Sequence, residues 1–284
     1  MADYIVFYSW QSDAPEKINK EFIQSALEKA AKELEVVPAD RLTVDQGMRG
    51  VPGSPEVATM MFEKIGESGI FVGDTTLVGQ IPQNGGGTKL VPNPNVSIEE
   101  GVAAGVLGWE RVVCVANEHF GSCEDQPFDT RNRRFPIRYT LKPESSPQEI
   151  DAAGEVLIED LKRAIKTIQK YDLAKAKKAR EKLDLYCLEF VHKFGASYFS
   201  HPAEPNPNAD TILLRNLALF DHCVIRLLEL GLLHSDIGFD TGKALYAYHW
   251  TFLGHNVYEL IQAKWGAPFP FINTPMRRSA SADV

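Results

Sequence analysis

Apolar and polar positions change period several times along the chain, and each change marks an element. Residues 4–10, Tyr-Ile-Val-Phe-Tyr-Ser-Trp, form an unbroken run of strand formers, the pattern of a strand buried on both faces. Residues 15–34 switch to helical spacing, with Ile18, Phe22, Ile23, Leu27, Ala30 and Leu34 on one face. Leu42 to Asp45 predict a short second strand, Gly69 to Asp74 a third, Arg111 to Asn117 a fourth and Ile137 to Leu141 a fifth. Helices are predicted from Pro55, a residue suited to a first helical position, to about Gly66, and over about 95–108. Residues 46–55 are dense in turn formers, and 77–94, which include Asn84-Gly85-Gly86-Gly87, read as a long loop. Strands alternating with helices predict an α/β fold, a flavodoxin-like parallel sheet covered on both faces.

After Pro143 the composition turns to Pro, Ser and Glu, a candidate boundary. The predicted organisation is a domain over 1–148, a connecting helix over 149–183, a smaller α-rich domain over 184–275 and a polar, disordered tail over 276–284. The helical stretch 155–182 carries nine Lys/Arg against five Asp/Glu and reads as a solvated connector in preference to a phosphate-tracking face. Further on, Ala218 to Leu233 predict an apolar helix and Ser235-Asp236-Ile237-Gly238 a turn. Leu245 to Trp250 read as a strand, and Thr251-Phe252-Leu253-Gly254 leads into a last helix through Gln262. Helix, two-stranded wing, helix: about 50 residues here resemble a winged-helix module.

A length of 284 residues accommodates two domains, and a net charge of -8 argues against a dominant nucleic-acid face. In 184–284, seven Lys/Arg face ten Asp/Glu, a net of -3, which disfavours strong DNA binding by that part and suits packing on a protein partner or second subunit. No apolar run reaches the roughly 18 residues of a membrane helix, so no membrane association is expected. Met1 leads into a strand-like run with no basic segment, so no signal peptide is expected. Cys114, Cys123, Cys187 and Cys223 have no CxxC spacing and read as free thiols of a reducing cytoplasm. His119, His192, His201 and His222 are isolated in sequence, and no metal site is expected.

Candidate chemistry gathers at the predicted strand ends. In a flavodoxin-like order the first strand lies at the topological switch point beside the third, and ligands bind there. The loops offer Ser9, Trp10 and Gln11, with Ser12 and Asp13, after the first strand, and Asp74 and Thr75, with Thr76, after the third. Asp45 ends the second strand. Gly53 and Ser54, in Gly50-Val51-Pro52-Gly53-Ser54-Pro55, precede a helix start whose N–H groups suit an anion, without the lysine of a Walker A loop. Pro92-Asn93-Pro94-Asn95 announces a helix that puts Glu99 in its first turn, where the helix dipole keeps a carboxylate ionised. Glu99 and Glu100 lie roughly 100° apart on that helix, so only one of them faces the crevice. The cluster of Asp129, Arg131, Arg133, Arg134 and Arg138 reads as internal ion pairing in preference to a phosphate clamp.

Taken in order, Phe7-Tyr8-Ser9-Trp10-Gln11-Ser12-Asp13, Gly53-Ser54-Pro55, Phe71-Val72-Gly73-Asp74-Thr75, Pro92-Asn93-Pro94-Asn95-Val96-x-x-Glu99 and Pro127-Phe128-Asp129-Thr130-Arg131 resemble the bacterial TIR-like (Toll/interleukin-1 receptor-like) family over residues 3–141. Many such domains are NAD nucleosidases or cyclases acting in anti-phage defence. The resemblance implies NAD+ as substrate with no bound cofactor, Glu99 as the catalytic acid, and activation through self-association or a partner protein. Glu100 stands where the family carries Leu. The chemistry agrees: nicotinamide leaves as a neutral base, so one carboxylate that stabilises an oxocarbenium-like ribose suffices. Three other readings compete: a nucleoside 2-deoxyribosyltransferase-like N-glycosidase, a non-catalytic module binding a nucleotide signal, and a DNA-binding regulator.

Overall fold

A computed structural model describes residues 4–34, 42–45, 57–126, 136–194, 199–202, 211–240 and 243–265. The chain divides into two compact units, Asp3–Gln169 and Lys170–Val284, the division falling inside the span 149–183.

The first unit is α/β. Its parallel sheet contains β1 (Tyr4–Ser9), β2 (Leu42–Asp45), β3 (Ile70–Asp74), β6 (Val112–Asn117) and β7 (Ile137–Tyr139), in the order β2-β1-β3-β6-β7. Counted among themselves these five strands run 2-1-3-4-5, so β1 and β3 are neighbours at the switch point. Val6, Phe7, Tyr8, Ile70, Phe71 and Val72 are all fully buried, which is why these strands are apolar without alternation. Alternate side chains take opposite faces. Phe7 and Phe71 join Ile65 of α2 (Val57–Glu67) and Ala103 of α3 (Pro94–Val106). On the other face Tyr8 donates to the carbonyl of Lys20, the first residue of α1 (Lys20–Leu34). α1 buries Phe22, Ile23, Ala26, Leu27, Ala30 and Ala31, one stripe at helical spacing.

Several expectations need correction. The segment 15–34 is not one helix: a 3-10 turn over Glu16–Ile18 is separated from α1 by Asn19, whose side chain is drawn into the buried sheet edge. Residues 77–94 are not a loop. They form a hairpin of β4 (Leu77–Pro82) and β5 (Thr88–Pro92). Gly85, Gly86 and Gly87 have φ of 108°, 93° and 98°, values open to glycine, and turn the chain between the strands. The helix after them begins at Pro94, so Glu99 sits in its second turn and its first turn holds no acid. Residues 155–182 belong to a longer helix, α4 (Pro147–Glu181). Its part in this unit is amphipathic: Leu157, Leu161, Ala164, Ile165 and Ile168 are buried, while Lys162 pairs with Glu33 at 2.8 Å and with Glu159 at 2.7 Å.

The second unit contains α5 (Leu185–Phe194), β8 (Phe199–Pro202), α6 (Thr211–Glu229), β9 (Leu233–Asp240), β10 (Lys243–Trp250) and α7 (Phe252–Trp265). The three strands form an antiparallel sheet in the order β8-β10-β9. Ser235 to Gly238, expected as a turn, lie inside β9, where pairing with β10 overrides their local preference. α6 stops at Glu229, short of the expected Leu233. Cys187, Val191, Leu227, Val257 and Ile261 centre its core. Thr251 caps α7, its hydroxyl accepting from the Gly254 N–H at 3.1 Å and donating to the Gly231 carbonyl at 2.7 Å. No described helix is long and apolar enough to cross a membrane. The expected tail lies outside the described residues.

A methyl group at Gly254 would stand 2.2 Å from the Leu232 carbonyl oxygen and 2.9 Å from Trp250. Gly254→Ala is therefore expected to lower the unfolding free energy by about 1–3 kcal/mol, measured in urea, because backbone must move. In the first unit, the Asn117 side chain donates to the Leu141 carbonyl and accepts from the Leu141 N–H, at 2.9 and 3.0 Å. Asn117→Ala strands both groups and is expected to cost about 2–5 kcal/mol; a cost under about 1 kcal/mol would contradict this role.

Candidate functional site

The C-terminal ends of β1 and β3 rest on a buried polar network. Asp74 is fully buried and accepts from Gln11 Nε2 at 3.4 Å, Asn19 Nδ2 at 3.2 Å, and the Thr76 N–H and hydroxyl at 3.1 and 2.5 Å. Burial raises its proton affinity, and the donors from Thr76, Asn19 and Gln11 act against that. Asn19 also donates to Thr76 at 2.9 Å, and Asn117 donates to Asn19 at 3.2 Å. Thr75 has its N–H on the Val115 carbonyl at 2.9 Å, and its own carbonyl accepts from Gln126 at 2.7 Å.

Gln11, Asp74 and Thr75, expected beside a ligand, are buried and hydrogen-bonded within the protein. Trp10 is half-buried, and Lys20 Nζ stands 3.8 Å from its ring centroid, a cation–π contact on that aromatic face. Asp45 ends β2 in register with Phe7. Its side chain, like Gly53, Ser54, Asp129, Arg131, Arg133 and Arg134, lies outside the described residues. Arg138 faces Glu118 at 3.7 Å.

Ser9 differs from its neighbours. Its hydroxyl is buried and has no hydrogen-bond partner. It faces the Glu99 carboxylate and favours its charged form without closing a bond of ordinary length. Glu99 stands three residues after Val96 and four before Ala103, both buried, so it flanks the inner face of α3 and is half-buried. Burial pushes its pKa above 4.5, and Ser9 only partly offsets the shift. The expected dipole effect does not prevail, because it fades beyond the first turn and Glu99 lies past it. Glu100 turns inward and is 4% exposed, accepting from the Cys114 thiol of β6 at 3.4 Å. Burial, then Glu100, pushes the Cys114 thiol up.

α3 is anchored where this geometry requires it. The Asn93 side chain caps the helix, accepting from Asn95 and Val96 N–H at 2.8 and 3.3 Å, with Pro94 at the first position. The same side chain donates to Asp13 at 2.5 Å, tying the head of α3 to the loop after β1. Gly73 leaves room beneath: a methyl there would meet Phe71 at 2.9 Å and Val96 at 3.6 Å. The helix start was legible in Pro92-Asn93-Pro94-Asn95. The Asp13–Asn93 link spans 80 residues and was not.

No protein-family model matches the chain, and no curated protein matches it in sequence. Chemistry at the site is therefore argued from the side chains. A half-desolvated carboxylate beside an uncommitted hydroxyl can stabilise an adjacent cation or attack an electrophilic carbon.

Because protonation is favoured in the folded state, Glu99 removes stability as pH rises from about 4.5 through its raised value. Its carboxyl carbon, followed by NMR, is expected to titrate with a midpoint above 4.5. Ser9→Ala should move that midpoint higher, because the hydroxyl's support of the charged carboxylate is lost. A midpoint at or below 4.5 would contradict the assigned burial.

Proposed function

We propose that the chain is an NAD+ nucleosidase with a flavodoxin-like, TIR-like first unit, and that Glu99 is its catalytic carboxylate. One observation carries the reading: Glu99 meets a buried Ser9 hydroxyl that makes no hydrogen bond of ordinary geometry, at the C-terminal edge of a parallel sheet ordered 2-1-3-4-5, while Glu100 turns away onto Cys114. In this reading the ribose C1′ lies against Glu99. The bond from C1′ to nicotinamide nitrogen breaks, and its electron pair leaves with nicotinamide. The carboxylate stabilises the positive charge left on the ribose until water adds. Ser9 hydrogen-bonds a ribose hydroxyl in the complex, which gives a role to a buried hydroxyl that makes no hydrogen bond of ordinary geometry within the protein.

The second unit, with its strand order β8-β10-β9 and a hairpin between α6 and α7, supports a winged-helix-like reading. With an acidic balance it is assigned to regulation or assembly, through a second copy or an activating protein. A role in anti-phage defence follows from the family resemblance alone, and a cytoplasmic location from the unpaired cysteines.

Purified protein incubated with NAD+ is expected to release nicotinamide, measured by chromatography. Glu99→Gln is expected to lower that rate by on the order of 10² to 10³, with the fold retained. Full activity in Glu99→Gln together with its loss in a folded Glu100→Gln protein would transfer the role to Glu100. Full activity in both would end the carboxylate mechanism.

A further inference from the structure

A second constellation lies in the other unit, in residues that sequence spacing left apart. Asp184 caps α5, its Oδ1 accepting from the Cys187 N–H at 2.8 Å. Its Oδ2 stands 2.6 Å from His222 Nε2 of α6. The Cys187 sulfur completes the group: one oxygen, one sulfur and one nitrogen, all within 4.8 Å of one another. His222 is thus not isolated, as its sequence context had implied. Cys187 is fully buried between the helices, whereas the Asp184 and His222 side chains are 45% and 51% exposed. Cys223, the residue after His222, lies behind in contact with the Cys187 thiol.

We propose that Asp184, Cys187 and His222 bind a zinc-type divalent ion that clamps the head of α5 to the middle of α6. The donor set points to that class of ion. A thiolate and an imidazole select a borderline-soft metal over Mg²⁺ or Ca²⁺, which prefer oxygen ligands. Charge balances: one thiolate and one carboxylate neutralise a divalent cation, which suits a half-buried position. Cys187 binds as the thiolate and its proton passes to solvent. His222 binds through Nε2 as neutral imidazole, and Asp184 uses Oδ2 while Oδ1 keeps the helix cap. Tetrahedral bonds of about 2.1 Å set such ligands about 3.4 Å apart, so the Asp184–His222 contact opens modestly to admit the ion. Solvent, reaching the exposed side, supplies the fourth ligand. An exposed Asp–His pair alone accounts for two members of the group and contributes little stability. The Cys187 thiol, directed at the same carboxylate and at Cys223, places a third donor atom at the point the pair already occupies.

The test uses the full chain, stripped with a chelator, kept reduced with a phosphine, and titrated with Co²⁺ as a spectroscopic stand-in. The expected result is one equivalent bound with thiolate-to-cobalt charge-transfer absorption, displaced by Zn²⁺. Cys187→Ser should abolish that absorption. His222→Gln, at an exposed position where folding is not at risk, should weaken binding at least about tenfold. Asp184→Asn, which retains a capping oxygen, should also weaken it. Glu99→Gln should bind cobalt as the wild type does, because this site does not rest on the nicotinamide-releasing reading. No cobalt absorption at micromolar metal would overturn the proposal. So would absorption that survives Cys187→Ser, or an unchanged affinity in His222→Gln.

Discussion

The buried carboxylate of Asp74 is the constraint on which the C-terminal edge of the parallel sheet depends. A charge taken out of water costs several kcal/mol unless hydrogen-bond donors surround it. Here four donors come from three places: the loop after β1 (Gln11), the break before α1 (Asn19), and Thr76, which gives both its backbone N–H and its hydroxyl. Satisfying that one group fixes the path of each segment. Asn117 then extends the network from β6 to Leu141, just past β7. The sheet edge is therefore held by directional bonds as well as by apolar packing. Losing one member leaves its neighbours unpaired, so the edge yields as a unit or not at all.

A network this fully bonded gives meaning to what it leaves out. Ser9 ends β1 a few residues from Gln11, in the same buried layer, yet its hydroxyl finds no partner. Keeping such a group is unfavourable for folding. It is explained if the hydroxyl serves a bound molecule or the nearby acid. The Asn93 cap and its bond to Asp13 then set the depth of α3, and with it the position of Glu99.

How much of this was readable in the sequence follows from the range of the forces involved. The parallel strands were readable because burial on both faces leaves an apolar run that needs no partner to be recognised. The hairpin of β4 and β5 was not, since residues 80–89 are exposed and lack the buried face that produces alternation. Gly85 to Gly87 pointed to a turn without identifying its arms. The β9 strand through Ser235 to Gly238 exists because β10 lies beside it, information held outside its own composition. The hydrogen-bond network around Asp74 was not readable for a related reason. Its partner Gln11 stands 63 residues away and Asn19 stands 55 away, so a saturated buried acid and an open one look alike in sequence. The same distance hid His222 from Asp184, 38 residues before it.

Three acids thus sit at or near the sheet edge in different states. Asp74 is spent on structure, and Glu100 takes the Cys114 thiol. Glu99 is half-desolvated and retains an oxygen edge toward Ser9. Burial acts on Glu99 in two opposing ways. It raises proton affinity, which reduces the charged fraction at low pH, and it lowers the local dielectric, which strengthens the attraction of the charged form for a nearby cation. A fully solvated carboxylate would be ionised yet weak, and one as deeply buried as Asp74 without donors would be neutral. An intermediate position with the Ser9 hydroxyl beside it offsets part of the burial penalty on the charged form while leaving its field less screened than at the surface. That balance follows from a shift of one turn along α3: in the first turn, Glu99 would gain the helix dipole and be easier to ionise, but its charge would already be answered by backbone N–H groups.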